Sequence, residues 1–164
     1  MKEDILGIWD YNFWASERFT AKLQNFSEEE FCRDLGDGCG SVRDKLGHIL
    51  GADKVWLERI QGKVNPFLPA SEIKDIRFYM DLSGRIHSDY KKILNELTEE
   101  GLKADIAYKN LKGLDFSTPL FEILLHVANH ATYHRGQAAS LIRRIKGSPP
   151  VTDMIEYFRS KTAG

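Results

Sequence analysis

The chain is predicted to be all-α: a four-helix bundle with a short extended hairpin segment before the last long helix and a short C-terminal helix. Three observations point there. Apolar residues recur at helical spacing along four long stretches. Gly and Pro cluster at only a few places, cutting the chain into those stretches rather than into many short strands. The length, 164 residues of which 42% are hydrophobic, suffices for a single domain with a sizeable core. No repeat, low-complexity tract or linker divides residues 1–164, so one domain is expected.

Residues near 3–25 form the first helix, with Ile5, Ile8, Ala15, Phe19, Leu23 and Phe26 on one face. Asn12 falls within that stripe. A buried amide needs partners, so Asn12 either bonds another helix or supports a functional site. Trp14 points nearly opposite, either incidentally or as a subunit contact. Ser27 and Glu30 have the spacing of a capping box, opening a short helical turn before the glycine-rich loop Gly36–Gly40. Ser41 caps the second long helix, with Asp44 in place of the usual Glu. That helix runs to about Gln61, and Val42, Leu46, Ile49, Trp56, Leu57 and Ile60 form its apolar face.

A loop from Gly62 to Pro69 precedes the third long helix, which starts at Ser71 or Ile73 and ends near Leu97. Its core positions are Ile76, Met80, Ile86, Tyr90, Ile93, Leu94 and Leu97, and His87 is read as a surface residue. Residues 104–117 lose the helical period and read as two extended pieces around a turn at Lys112-Gly113. Ser117 or Thr118 then caps the fourth long helix, with Pro119 suited to its first turn. It continues to about Lys146, where Arg143, Arg144 and Lys146 complement the helix dipole, and Gly147, Pro149 and Pro150 end it. A last short helix is expected over about 152–161.

Composition narrows the function classes. A formal net charge of −1 argues against nucleic acid or an anionic membrane as the main partner. No apolar run approaches the roughly 18 residues of a membrane span. The first residues lack the apolar region of a signal peptide. The two cysteines, Cys32 and Cys39, lie around loop sequence without CxxC spacing, so a reduced cytoplasmic protein is the expectation.

The densest chemistry lies in the fourth long helix. His126, His130 and His134 are three of the five histidines and recur every fourth residue. Residues four apart stack on one helix face, so two such imidazoles can converge on one metal ion. Three cannot, because the outer pair stand about 12 Å apart along the axis at 1.5 Å per residue. With about 100° of turn per residue and His134 set to zero, the apolar residues Ile123 and Leu141 fall near about −20° and Val127 near about +20°. His130 falls at about −40° and His126 at about −80°, so the pair His130/His134 faces inward and His126 leans out. Two inward imidazoles are costly without partners, and a metal supplies one explanation. Core histidines held by ordinary hydrogen bonds supply the other. A third ligand would have to come from elsewhere. His48 is the inward-capable histidine outside this stretch, although it sits only at the edge of its helix's apolar face. Asp53, nearer the middle of that face, could bind metal, orient a ligand histidine or satisfy a buried donor.

Three blocks of sequence resemble the DinB-like family, also called damage-inducible or YfiT-type, a helical superfamily of metalloenzymes distinct from the DNA polymerase that shares the name. They are Tyr11-Asn-Phe-Trp-Ala15, then Ser41 to Leu57 with His48 inside it, and Leu124 to Gln137 with His130 and His134. Tyr108 to Gly113 resembles the segment before that family's last long helix. The resemblance implies a dimeric four-helix bundle acting on a small molecule. It implies one divalent metal per chain, zinc or nickel first and manganese or iron next, held by His48, His130 and His134. Asn12, Asp53 and Gln137 are candidates to support those ligands. Relatives include transferases that use low-molecular-weight thiols as cosubstrates and metal-dependent hydrolases, so thiol transfer to an electrophile is the leading expectation. Hydrolysis by a bound water and non-catalytic metal binding or ligand sensing are the alternatives. Asp53, Tyr133 and His126 are the candidates for a general base, and no catalytic residue is assigned.

Overall fold

A computed structural model describes residues 1–64 and 66–162. Its long helices are α1 (Lys2–Leu23), α3 (Val42–Ile60), α4 (Ile76–Glu96) and α6 (Leu120–Lys146). Shorter ones are α2 (Glu28–Cys32), α5 (Glu99–Lys103) and α7 (Met154–Thr162), and a 3-10 turn spans Ala70–Glu72. The long helices form a closed ring: α3 packs on α6 and α4, and α1 packs on the same two. Trp9, Phe19, Phe31, Leu46, Leu50, Tyr90, Ile123, Leu124 and Ile142 fill the space between them, each essentially inaccessible to water. Burying an aliphatic or aromatic side chain of this size contributes about 1.5–3 kcal/mol relative to leaving it exposed, so this core is what holds the ring closed.

Both capping boxes form as expected. Ser27 Oγ accepts from Glu30 N at 3.1 Å and Ser41 Oγ from Asp44 N at 3.0 Å, and the acid answers the cap's own N–H in each. The hairpin also matches. Strands β1 (Asp105–Lys109) and β2 (Asp115–Pro119) pair antiparallel with Tyr108 opposite Phe116. Asn110 Oδ1 accepts from Lys112 N and Leu114 N, and Gly113 takes a φ of 80° that suits glycine.

Three expected boundaries are corrected. The third long helix starts at Ile76, because Asp75 Oδ1 accepts from Phe78 N at 2.6 Å and makes a cap there. Residues 70–72 belong instead to the separate 3-10 turn. Helix α5 was not expected: Thr98 Oγ1 accepts from Gly101 N and opens a short helix before the hairpin. Finally, Ser117 and Thr118 pair in β2 and do not cap α6. Pro119 stands at the boundary with a ψ of 139°, and Leu120 N donates to Ala104 O.

Trp14 is not an isolated exposed indole. It packs at 5.5 Å from Tyr157 of α7 and 6.2 Å from Tyr11, with Arg18 over its ring. Tyr11 Oη donates to Thr152 O at 2.8 Å, so this aromatic group fastens the C-terminal helix to the outer side of α1.

Two glycines of α3 position the segment that covers the site. A Cβ at Gly47 would lie 2.9 Å from Ala70 Cβ. One at Gly51 would lie 2.7 Å from Phe67 Cζ and would meet the carbonyl oxygen of Leu68. Residues 67–70 can therefore lie directly on the helix, which sets Phe67 5.8 Å from His48, ring centre to ring centre. Gly51→Ala forces this segment outward. The expected outcome is a loss of about 1–3 kcal/mol in chemical denaturation, as overpacking typically costs. An unchanged denaturation midpoint would show that the segment yields freely.

Candidate metal centre

Helix α6 carries His130 and His134 one turn apart, and α3, its closest neighbour, carries His48 opposite them. His48 Nε2 lies 3.2 Å from His130 Nε2. The ring of His134 is centred 4.5 Å from that of His48 and 4.4 Å from that of His130. One nitrogen from each of the three falls within 4.8 Å of the others, and all three residues are half-buried. Two imidazole nitrogens at 3.2 Å need a proton or a cation between them. The edge of a tetrahedral site built with zinc–nitrogen bonds of about 2.0–2.1 Å is close to that spacing, so the donor set fits a divalent ion.

Electrostatics keep the ring nitrogens available. Burial pushes the His130 imidazole down to about 4, aided by the neighbouring charges of His134, His48 and His126. Burial also lowers His48, with His134 and Lys45 adding to it. Both rings are thus neutral near pH 7, the form that binds metal.

Gln137 orients the third histidine. Its Oε1 lies 2.8 Å from His134 Nδ1. Oε1 only accepts, so Nδ1 carries the proton and Nε2 keeps its lone pair for the cluster. His130 Nδ1 is buried without such a partner. Gln137→Leu should weaken metal affinity by about 10–100-fold, the usual effect of removing an orienting partner. Competition against a chelating dye measures it, and an unchanged affinity would deny Gln137 that role.

The remaining candidates are placed elsewhere. Asn12 Oδ1 accepts from Arg135 Nη1 at 2.6 Å, the interhelical bond that its position in the stripe suggested. Asp53 is buried beside Arg135, Tyr79 and Tyr90 and makes no hydrogen bond to a triad histidine; its Oδ1 has no partner. Burial raises its carboxyl to about 7, against the opposing pull of Arg135. His126 is exposed, edge-on to Trp56 at 5.5 Å, and stands outside the triad. Tyr133 is 65% exposed, with its ring edge-on to His134 at 4.9 Å. His87 is half-buried rather than fully at the surface: it packs 5.1 Å from Phe13, and burial lowers its imidazole to about 4.

The residue that sequence reasoning missed is Arg135, only 2% exposed. Nη1 donates to Asn12 Oδ1 and to Ser16 Oγ at 3.2 Å, and Nη2 donates to Thr132 Oγ1 at 2.9 Å. A signal was present. Ala128, Ala131 and Ala138 surround Arg135 on the wheel, at about +120°, +60° and +40° against its +100°, and their small side chains leave room for a guanidinium.

The DinB family matches residues 1–163. Protein DinB of Bacillus subtilis (strain 168) is 26% identical over 171 residues, covering 99% of this chain and 98% of that protein. The uncharacterized protein YizA of the same organism is 20% identical over 145 residues, covering 88% and 90%. Among solved structures, a conserved protein from Enterococcus faecalis superposes with a TM-score of 0.68 at 15% identity, over 86% of this chain and 96% of that one, a likeness of fold.

Proposed function

The chain belongs to the DinB family, and we propose that it uses its three-histidine centre as a metal-dependent transferase, joining a small thiol to an electrophilic small molecule. One observation carries the reading. Among the described residues, the cluster is built of three histidines, and no carboxylate or cysteine joins it. Three protein ligands leave a position open, as catalytic sites do. A divalent ion bound there would lower the pKa of a thiol and polarise an electrophile.

The chain's own groups supply the rest. His48, His130 and His134 hold the ion, and Gln137 fixes the tautomer of His134. Phe67 and its segment cover His48 on one side and restrict water there. In the net reaction the thiol loses its proton to solvent and its sulfur bonds to the electrophilic carbon. The leaving group departs with the electron pair of the broken bond. Hydrolysis is the weaker reading, because protonating its leaving group calls for an acid–base residue beside the ion. Asp53 is buried among other partners, and Tyr133 and His126 lie at the exposed side.

The test loads the protein with zinc or nickel and titrates small thiols such as cysteine by calorimetry. Conjugation to 1-chloro-2,4-dinitrobenzene is then followed by absorbance. The expected result is thiol binding and conjugation above background, both lost with His134→Ala. Metal-loaded protein that binds no thiol from a broad panel would overturn the reading.

A further inference from the structure

The face of α6 that bears the histidines does not end at the triad. Counting on from His130 and His134 by threes and fours gives Gln137, Leu141 and Arg144. On α3, Lys45 stands one turn before His48, and its charge already bears on that ring. The loop before α3 brings Gly38 and Cys39 to the same place. Together these residues and Ser140 line a cleft of about 300 Å³. Gln137 belongs to both structures: it holds His134 and forms a wall of the cleft.

The cleft's charge is one-sided. Lys45 and Arg144 line it and no carboxylate does, in a chain whose charges nearly cancel. Among the described residues neither cation is in an ion pair. Among those residues Arg144 makes two long contacts, Nη2 to Leu35 O at 3.4 Å and Nη1 to Cys39 Sγ at 3.6 Å. Most of its donor fork is therefore free for a planar anion. Ser140 adds a hydroxyl on the same side.

We propose that this cleft is an anion-binding subsite, in which Lys45 and Arg144 take a carboxylate or phosphate group of a molecule whose other end reaches the histidine centre. It deepens the thiol-transferase reading and rests on it for the identity of that other end. The specificity that follows is for anionic thiols over neutral ones of the same length. If the anion belongs instead to the electrophile, the preference appears there.

The test has two arms, each run on the full chain with wild type and Lys45→Gln/Arg144→Gln. Both positions lie at the surface side of the cleft, and circular dichroism checks that the variant folds. In the first arm inorganic phosphate is titrated without added metal and backbone amide shifts are followed. The expected result is saturable shifts confined to residues around 38–45 and 137–144, with affinity at least about tenfold weaker in the variant, as loss of charged hydrogen bonds produces. Shifts that are absent, spread over the surface, or unchanged in the variant overturn the proposal.

The second arm compares 3-mercaptopropionate with 3-mercapto-1-propanol on zinc-loaded protein by calorimetry. A preference for the acid that the variant loses places the anion on the thiol. Equal binding of the two, with the phosphate result intact, places it on the electrophile and leaves the cleft as proposed. If neither thiol binds while phosphate still does, the thiol reading fails and the anion subsite stands.

Discussion

His134→Ala is expected to strip the divalent ion from a protein that otherwise carries about one per chain. Elemental analysis of protein purified without a His-tag or a nickel column measures it. Each histidine of the cluster contributes one ring nitrogen, and the chain offers no fourth donor among the described residues. Removing one of three ligands must therefore cost more than the roughly 10–100-fold that follows from losing an orienting partner such as Gln137. The fold should survive, because the α6 core rests on Ile123, Leu124, Val127, Ala131 and Ile142, which the substitution leaves in place. Far-ultraviolet circular dichroism unchanged, with the ion gone, is the expected pair of results. Protons compete weakly at two of the three histidines: burial and neighbouring charge already hold His130 at about 4 and His48 below its ordinary value. Metal should accordingly stay bound somewhat below the pH of about 6.5 at which free imidazole protonates. If the variant retains its ion, or the wild type takes up none after incubation with zinc, nickel and manganese, the three histidines are a polar cluster and the enzyme reading loses its centre.

What could be read in the sequence, and what could not, follows from the range of the interactions. Helix periods, capping boxes and the Asn110–Gly113 turn depend on residues a few positions apart, so Ser27, Ser41 and Gly113 were legible. So was the inward pair on α6, because a wheel is a local construction. His48 sat only at the edge of its helix face, and it entered the triad by resemblance rather than by pattern. Its place opposite His130 depends on how α3 and α6 are set against each other, 82 positions apart in the chain. The misreadings share that cause. His87 looked superficial because its cover, Phe13, comes from α1. Trp14 looked free because Tyr157, which covers it, belongs to the helix at the opposite end of the chain. Arg135 drew no reading of its own because two of its acceptors, Asn12 and Ser16, lie on another helix. In each case a polar or amphipathic side chain, judged or passed over on its own helix, is claimed by a distant one.

That same Arg135 carries the largest expected effect on stability. Arg135→Met should destabilise the protein by about 3–5 kcal/mol, the typical cost of removing one member of a buried charged group. For a chain of this size that lowers the melting temperature by about 6–20 °C. The substitution orphans Asn12 Oδ1 and removes the cation that opposes the desolvation of Asp53. The pH dependence identifies Asp53 as part of the loss. Its folded carboxyl titrates at about 7 against an ordinary value of 3.8, so between those values the native state holds a proton that the unfolded state has released. Its contribution to stability therefore falls as pH rises from about 4 to 7, with no penalty below that window and a constant one above it. Asp53→Asn cannot release that proton. The variant should gain on the wild type in melting temperature as pH rises through the window, and the gap should then stay level above about pH 7. Metal-free protein melted at several pH values across and above the window shows it directly, and a gap independent of pH would mean that Asp53 titrates as an exposed carboxylate does. Combining Asp53→Asn with Arg135→Met completes the cycle. If the buried charge is what Arg135 answers, the pair of substitutions costs less above the window than the sum of the two measured singly.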